Sequence, residues 1–522
     1  METAPGLKAT SPWRTAGVAL LVLACAPALR AQTDAVTTPC RVPGLAHEVR
    51  CGVVRRALDA ARPTGPVLDI HFMVVPAVAR RRLPDPVFLL AGGPGQSATA
   101  LAPAVLPLLA RLNNRRDLVF VDQRGTGRSA PLLCQDRSGA PLAEPADLDA
   151  QLAQLRRCLT QLSTTSPLTS ADDLRFFTTT IAMQDLDAVR ARLGAERINL
   201  VGASYGTRAA LEYARLFPQR LRRSVLDGVA PPDMVLPVSG GVDSQAAFDA
   251  MLTDCERSPT CQRAHPTLRA DWLALLGSLP KPVSAIHPLT GQRETFTLDA
   301  DRVLSAVRGP LYVPSLAAGL PRAIGEAAQG RYEALLGLAD ALASRRGGTL
   351  AMGMHFSVLC AEDAPRMASA EAAAAAVQGV APTVSSAAPF ADHAAMLYQR
   401  ACAFWPRGTL PEAFYKLPVA STATLLLSGG LDPATPPRHA DRVARALGAK
   451  VRQVTVANAG HGLLGIGCVR DVMFRFIDAT EDAAALAVDA SCVDGVPRPP
   501  AFAPVTVEPV HVPASMAEKG AR

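Results

Sequence analysis

The sequence lacks the patterns that would place it at once among nucleic-acid-binding, metal-dependent or repeat proteins. Its basic residues form no sustained run beyond Arg80-Arg81-Arg82, and 53 Lys and Arg against 46 Asp and Glu leave a net charge of only +7. Nucleic-acid binding is therefore not expected. The nine histidines form no HExxH or similar pairing, and the chain has neither a GxxxxGKS/T phosphate-binding loop nor an internal repeat. We accordingly expect neither a metal nor a cofactor.

Charged residues are also few. Of the 522 residues only 19% are charged, whereas 49% are hydrophobic. This composition excludes a wholly disordered chain, a collagen and a coiled coil. It provides enough apolar sequence for a large buried core.

The apolar run near the N-terminus, Ala16–Leu29, is shorter than the roughly 20 residues that a membrane-spanning helix needs. Because basic residues precede it, the run predicts a signal peptide over residues 1–31, cleaved after Ala28 or Ala31. The same segment resembles a bacterial lipoprotein box, in which Cys25 would become the lipidated N-terminus. We expect an exported protein, secreted or periplasmic and without a membrane span, with a lipid anchor as the alternative.

Apart from Cys25, the ten remaining cysteines fall into pairs that are near in sequence, and export permits disulfides. Sequence alone does not fix the connectivity, so the pairing rests on proximity. Cys255, Cys261 and His265 could instead bind a metal, although zinc sites usually have the tighter CxxC spacing. The expected disulfides are Cys40/Cys51, Cys134/Cys158, Cys255/Cys261, Cys360/Cys402 and Cys468/Cys492.

Short apolar, β-branched runs recur along the chain, and each leads into a turn. Helix-like stretches such as Ala182–Leu193 and Thr207–Phe217 lie between them. This alternation indicates an α/β fold, a mostly parallel sheet with helices on both faces. The predicted strands are Pro86–Leu90, Leu118–Val121, Ile198–Val201, Thr424–Leu427 and Val451–Val456.

Residues 231–415 have a different pattern, rich in alanine and helical in period, with predicted helices over Ala317–Arg345 and Met367–Gln378. We interpret this region as a helical lid inserted into the α/β core. The C-terminal stretch contains several prolines and predicts a flexible or surface-wrapping tail. The expected division is a core in two parts, residues 45–230 and 416–492, a lid at residues 231–415 and a tail at residues 493–522.

A G-x-S-x-G pattern occurs at residues 202–206, between a predicted strand and a predicted helix. The sharp strand-to-helix turn leaves no room for side chains beside the serine, which explains the glycines. Such a turn holds the hydroxyl of Ser204 above the sheet, at a helix N-terminus. The alternative is an ordinary glycine-rich turn, and the pattern becomes specific only with its partners.

A serine hydroxyl becomes a good nucleophile when a neighbouring base removes its proton. His461 lies between two glycines directly after a predicted strand and is the expected base. Asp432 follows the preceding strand and is the expected acid. Asp227 also ends a strand and is the alternative acid. His439 falls in an apparent helix, where we expect a surface residue.

The oxyanion of an acyl-transfer intermediate needs preorganised donors. One is expected from the backbone N–H of Tyr205, immediately after the serine. The other is expected from the loop at residues 92–95, where Gly93 is favoured because Pro94 has no N–H. Asp122 ends a strand as well, but its Gln-Arg-Gly neighbours indicate a hydrogen-bonded structural turn.

Taken together, these motifs resemble those of the α/β-hydrolase peptidases of the prolyl aminopeptidase family, in particular its tripeptidyl aminopeptidase-like branch. The resemblance implies an α/β-hydrolase fold, a serine exopeptidase that removes short units from the N-terminus of peptide substrates, and a lid that admits chain ends. Prolyl aminopeptidases proper usually carry a histidine where Ala91 stands, so strict proline specificity is not implied. The matching segments are residues 92–97, 122–129, 202–207, 428–436 and 459–462.

The same resemblance assigns the free amine of the substrate to an acidic residue, either Glu362 or Asp363. An ammonium entering a dry pocket does need a carboxylate partner. The alternative is a solvent-facing acidic pair beside a disulfide. Two other functions remain open, a carboxylesterase with the same three residues and a non-catalytic binding scaffold.

Overall fold

The computed structural model describes residues 36–134, 140–144, 147–343, 350–369, 389–418 and 422–502. The predicted signal peptide, Cys25 and most of the predicted tail therefore lie outside the described residues. Within these ranges, no helix combines the length and the apolar character needed to cross a membrane.

A nine-stranded sheet forms the centre of the described chain, in the order β1-β2-β3-β5-β4-β6-β7-β10-β11. From β5 to β11 all neighbours are parallel, whereas β1, β2, β3 and β5 pair antiparallel. The prediction of a mostly parallel sheet is confirmed. The strands are β1 Thr38–Cys40, β2 Val49–Ala57, β3 Val67–Val75, β4 Val87–Leu90, β5 Leu118–Val121, β6 Ile198–Ala203, β7 Leu221–Asp227, β10 Ala423–Gly429 and β11 Val451–Val456, and a separate hairpin contains β8 Lys281–Ile286 and β9 Arg293–Leu298.

Helices cover both faces of this sheet, as predicted. Along β4, Phe88 and Leu90 pack into one core and Val87 and Leu89 into the other, as the alternation of side chains in a strand requires. The two helices predicted between the strands are confirmed as α3 and α4. The helices are α1 Ala98–Asn113, α2 Leu148–Leu162, α3 Thr179–Arg192, α4 Tyr205–Leu216, α5 Leu236–Arg257, α6 Pro259–Ala264, α7 Leu268–Gly277, α8 Ala300–Leu311, α9 Pro314–Ala317, α10 Leu320–Ala328, α11 Glu333–Ala343, α12 Met352–Glu362, α13 Pro389–Cys402, α14 Pro437–Leu447, α15 Val469–Asp478 and α16 Asp482–Leu486.

Residues 231–415, which we call the insertion, contain α5 to α13 and a hydrophobic core of their own around Phe248 and Trp272. They are not wholly helical, because the antiparallel hairpin β8–β9 lies among the helices. The helical pattern over Ala317–Arg345 is confirmed in its described part, but it is divided among α9, α10 and α11, since the chain turns near Gly319 and at Gly330, which has a φ of +86°. The helix predicted over Met367–Gln378 lies mostly outside the described residues.

All five expected disulfides are formed. The metal alternative is therefore excluded, because Cys255 and Cys261 are bonded to each other and cannot act as thiolate ligands. Beyond residue 493, the described part of the tail lies against the insertion, where Arg498 pairs with Asp254 and the N–H of Phe502 donates to the carbonyl of Ala318 over 2.9 Å.

Gly206 is the second residue of α4, and we expect that any side chain there lowers the stability of the fold. Gly206→Ala tests this expectation. A Cβ at Gly206 would lie 2.2 Å from the carbonyl oxygen of Leu90, so β4 and α4 would have to separate. We expect a loss of about 1–3 kcal/mol in the free energy of unfolding, the range for overpacking. Chemical denaturation measures it. The control Gly337→Ala has open space around its Cβ and should stabilise slightly; equal effects of the two variants would contradict the prediction.

Candidate active site

Ser204 occupies the turn between β6 and α4 and has an unusual backbone conformation, with φ +55° and ψ −124°. A residue other than glycine in a sparsely populated region costs about 1–3 kcal/mol and needs support from its surroundings. Here the N–H of Ser204 donates to the carbonyl of Asp227 on the neighbouring strand over 2.8 Å. A Cβ at Gly202 would lie 2.4 Å from the carbonyl oxygen of Gly206, so the turn requires the glycines that frame the serine.

Asp432 and His461 form a hydrogen-bonded pair, with Nδ1 of the imidazole 2.8 Å from Oδ2 of the carboxylate. The backbone N–H groups of Ala434 and Thr435 donate to the other oxygen, over 2.8 and 2.9 Å. Burial opposes ionisation of Asp432, but the charge and hydrogen bond of His461, together with these backbone donors, lower its pKa below the ordinary value. In the neutral imidazole, Nδ1–H donates a hydrogen bond to this carboxylate, and Nε2 is therefore the acceptor nitrogen.

The serine turn and this pair meet at one edge of the sheet. In the register of the parallel strands, Ala203 of β6 lies beside Asp227 of β7, which lies beside Leu427 of β10. The next residue, Gly228, is so close to the imidazole that a Cβ there would lie 3.2 Å from Cε1 of His461. Ser204 follows β6, Asp432 follows β10 and His461 follows β11, so the structure brings all three to the same carboxyl edge of the sheet.

The alternative acid, Asp227, has a different set of partners. Its carboxylate accepts the N–H groups of Leu463 over 2.8 Å and Leu464 over 3.2 Å, in the loop that follows His461. Burial raises the pKa of Asp227 to about 6, against these hydrogen bonds and the charge of His461. Asp432, and not Asp227, therefore lies against Nδ1 of the imidazole, and Asp227 holds the histidine loop in place.

His439 is not a surface residue, so that expectation is wrong. It is 2% exposed, and its Nε2 lies 2.8 Å from Oδ2 of Asp243, which is also bound by Arg438. Helix α14 carries the histidine against α5, so the partner comes from the insertion.

Asp122 lies in a hydrogen-bonded structural turn, as predicted. Its buried carboxylate accepts hydrogen bonds from the hydroxyls of Ser97 and Thr99, each over 2.7 Å.

The loop at residues 92–95 lies beside the serine turn, and a Cβ at Gly92 would be 3.1 Å from Cβ of Ser204. Gly93 has a φ of +109°, which favours glycine. Tyr205 is the first residue of α4, and the first N–H groups of a helix have no acceptor within the helix. Tyr205, and the loop that contains Gly93, are therefore next to Ser204.

The insertion supports this loop through contacts that the sequence analysis missed. The N–H of Ala351 donates to the carbonyl of Gly95 over 2.9 Å, and Nδ1 of His355 lies 3.0 Å from the carbonyl of Pro94. On its other side, Nε2 of His355 lies 2.8 Å from the hydroxyl of Tyr398. Burial lowers the pKa of His355 to about 4, so the ring is neutral at physiological pH and donates from Nδ1.

Glu362 and Asp363 are both 1% exposed, so the alternative of a solvent-facing acidic pair is excluded. Asp363 accepts two hydrogen bonds from Arg208, over 2.9 and 3.2 Å. Glu362 accepts the N–H of Thr179 over 2.7 Å on Oε1, while its Oε2 lies 3.5 Å from Nη1 of Arg208 and makes no hydrogen bond among the described residues. Burial raises the pKa of Glu362 to about 7.

The comparisons with known proteins agree with this fold. Residues 85–278 match a family described as alpha/beta hydrolase fold, and residues 388–492 match one described as TAP-like protein. The chain has the α/β-hydrolase fold, with a segment near its C-terminus that is similar to TAP-like proteins.

Three curated relatives are similar over different lengths. Serine protease Hip1 of Mycobacterium tuberculosis (strain ATCC 25618 / H37Rv) is 29% identical over 334 residues, 58% of this chain and 61% of that protein. The tripeptidyl aminopeptidase of Streptomyces coelicolor is 30% identical over 219 residues, 40% of each chain. Carboxylesterase B of Mycobacterium tuberculosis (strain CDC 1551 / Oshkosh) is 29% identical over 462 residues, 83% of this chain and 84% of that protein. The match therefore spans less than two thirds of Hip1 and of the tripeptidyl aminopeptidase.

Asp227→Asn tests whether this carboxylate holds the histidine loop. The N–H of Leu463 lies against both carboxylate oxygens, 3.0 Å from Oδ1 and 2.8 Å from Oδ2. In either orientation the amide places its NH2 group opposite this buried N–H, donor against donor, so we expect a loss of about 1–3 kcal/mol in the free energy of unfolding. Between the ordinary pKa of 3.8 and the folded value of about 6, the folded protein binds more protons than the unfolded chain, so this contribution of Asp227 falls as the pH rises. The difference in the free energy of unfolding between the wild-type protein and Asp227→Asn should therefore become smaller from pH 4.5 to pH 7.

Denaturant titrations at the two pH values measure this gap. Asp489→Asn is a matched control, because Asp489 accepts the N–H of Ser491 over 2.9 Å at an exposed position, and it should change stability little. A gap that widens with pH, or a loss no larger than that of the control, would show that Asp227 does not have this role.

Proposed function

We propose that this protein is an exported serine exopeptidase that cleaves peptide bonds near the free N-terminus of short peptides. The observation that carries the proposal is the 2.8 Å contact between His461 and Asp432, at the sheet edge where Ser204 has its strained conformation. Relatives named serine protease and tripeptidyl aminopeptidase support a peptidase. Five disulfides support an oxidising compartment, reached either as a soluble protein or through a lipid anchor at Cys25.

In the proposed reaction, Nε2 of His461 takes the hydroxyl proton of Ser204 as the oxygen attacks the scissile carbonyl. Asp432 keeps the imidazole in the required tautomer and stabilises its charged form. The backbone N–H groups of Gly93 and Tyr205 bind the oxyanion, and His461 then gives the proton to the leaving amine. Water repeats the sequence on the acyl-enzyme, so these steps need no metal or cofactor.

Substrate selection is proposed to depend on the insertion, which would act as a lid that admits chain ends. Arg208, Glu362 and Asp363 form a buried cluster in which one guanidinium faces two carboxylates. Asp363 makes the bidentate contact with Arg208. Glu362 is left with an oxygen that an ammonium group could bind. We therefore propose Glu362 as the acceptor of the substrate amine, reached when the cluster opens, and Asp363 as the counter-ion of Arg208.

Labelling with a fluorophosphonate probe tests the nucleophile. We expect the wild-type protein to be modified at Ser204, and Ser204→Ala to lose both labelling and at least about 10⁴-fold in kcat. Asp432→Asn should retain the fold and lose about 10⁴-fold in kcat, because the imidazole takes the wrong tautomer. Ser305→Ala, which changes an exposed serine of α8, is the control. Folded wild-type protein that is not labelled at Ser204 would instead favour a binding scaffold.

Glu362→Gln tests the amine acceptor. We expect kcat/KM to fall by about 10-fold or more for substrates with a free N-terminus and to stay unchanged for N-acetylated ones, because only the first group carries the ammonium. Since burial raises the pKa of Glu362 to about 7, the KM of wild-type enzyme for free-amine substrates should fall as the pH rises through that value. Steady-state kinetics from pH 6 to 8 measure both.

The exposed Glu412→Gln serves as the control, because its partner Lys416 lies four residues away on the surface. Equal loss of activity on free and N-acetylated substrates would show that Glu362 has only an internal role.

A carboxylesterase with the same three residues is the second candidate, and the relative named Carboxylesterase B, which matches over most of both chains, favours it. Mono-, di- and tripeptide substrates, each with a free and a blocked N-terminus, separate the two when small esters are assayed beside them. An exopeptidase requires the free amine, whereas an esterase cleaves the esters regardless of an amine.

A further inference from the structure

Arg308 is a half-buried arginine in the last turn of α8, and its environment is unusual for this protein. Its Nε donates to the hydroxyl of Ser244 over 3.0 Å, and its Nη2 lies 3.5 Å from the hydroxyl of Tyr312. No carboxylate of the described residues lies within ion-pair distance of it. The buried Arg124 and Arg208, by contrast, each face a carboxylate, those of Asp185 and Asp363.

The contacts of Arg308 place it at the candidate active site. The ring of Tyr312 packs edge-on against the imidazole of His461, with ring centres 5.2 Å apart. The hydroxyl of Ser244 lies 3.1 Å from the carbonyl of Pro433, the residue after Asp432. Arg308 is therefore within two contacts of both members of the Asp432–His461 pair.

Arg308 is also close to the support of the oxyanion loop. Burial, with a smaller contribution from the charge of Arg308, lowers the pKa of His355 to about 4, and Nδ1 of His355 lies 3.0 Å from the carbonyl of Pro94. Burial raises the pKa of Tyr398 to about 12, and the same guanidinium opposes that rise. The positive charge of Arg308 thus acts on His355, which contacts the loop at residues 92–95, and on Tyr398, the other partner of that imidazole.

The charged neighbours do not neutralise this guanidinium. His355 is neutral, and Asp243, which precedes Ser244, is already bound by Arg438 and His439. Asp363 is bound by Arg208. A partly desolvated guanidinium that has only hydroxyl partners keeps most of its capacity for a bidentate anion, and carboxylate is the anion that fits its fork.

We propose that Arg308 binds a carboxylate of the substrate and thereby selects acidic or C-terminally free short peptides. This inference rests on the proposed exopeptidase function. The carboxylate can come from the C-terminus of a short peptide or from an acidic side chain, and both present the same group. A purely structural role, in which Arg308 only stabilises the C-terminal end of α8, is the competing explanation.

Matched peptides test the proposal. Tetrapeptides of one sequence are prepared as the free acid, as the C-terminal amide, and as amides with a single Glu at each position, and cleavage is followed by mass spectrometry. We expect wild-type enzyme to favour the free acid or one Glu-containing amide over the neutral amide by about 10- to 100-fold, mainly through KM, as one charge-assisted contact allows. A preference for the free acid assigns the carboxylate to the C-terminus of the peptide, and a preference for a Glu-containing amide assigns it to an acidic side chain.

Arg308→Gln should remove this preference, so that kcat/KM of the carboxylate-bearing peptide falls, mainly through KM, to about that of the neutral amide. Arg308→Lys keeps the charge but not the fork and should retain part of the preference. Arg331→Gln, at an exposed position of the insertion, is the control and should behave as wild type.

Equal cleavage of the neutral amide and all carboxylate-bearing peptides by the wild-type enzyme would overturn this inference alone. An equal loss on all peptides in Arg308→Gln would assign the residue a structural role and overturn it too. Wild-type protein that cleaves none of the peptides would overturn the proposed exopeptidase function together with the inference.

Discussion

The parallel hydrogen bonding of β6 to β7 and of β7 to β10 determines where the turns of the candidate site lie. In this register Asp227 stands between Ala203 and Leu427, so the chain leaves all three strands at one edge. Asp227 then uses its backbone carbonyl to hold the N–H of Ser204 and its carboxylate to hold the loop after His461. A shift of one residue in this pairing would turn the side chains to the opposite face and separate these contacts.

Near the candidate site, buried charges are not balanced pair by pair as they are at Arg124. Arg124 pairs with Asp185, which is the usual solution, because an unpaired buried ion costs several kcal/mol. Near Ser204, two carboxylates share the single guanidinium of Arg208, and Arg308 has no carboxylate among the described residues. The first set has an excess of negative charge and Arg308 has an excess of positive charge. A short peptide has the two charges that would complement them, an ammonium and a carboxylate.

Much of the core could be predicted from the sequence because local patterns decide it: short apolar runs gave the parallel strands, near pairs of cysteines gave the disulfides, and glycines framed Ser204. What was missed depends on contacts between distant segments. His439 is buried because its partner Asp243, 196 residues away, comes from another helix. The support of Pro94 by His355, 261 residues away, has no local signal either. The untested roles of the site residues remain predictions.

The insertion contacts both halves of the candidate site, and this connects substrate access with catalytic geometry. At the end of α8, the carbonyl of Tyr312 accepts the N–H of His461 over 2.9 Å. At the start of α12, Ala351 and His355 hold the loop that contains Gly93, and the disulfide from Cys360 to Cys402 joins α12 to α13. A displacement of the insertion would therefore change the position of the imidazole and of the oxyanion loop together. The proposed lid therefore could not open without altering the geometry around Ser204, so closure over a bound peptide and assembly of the site would be one event.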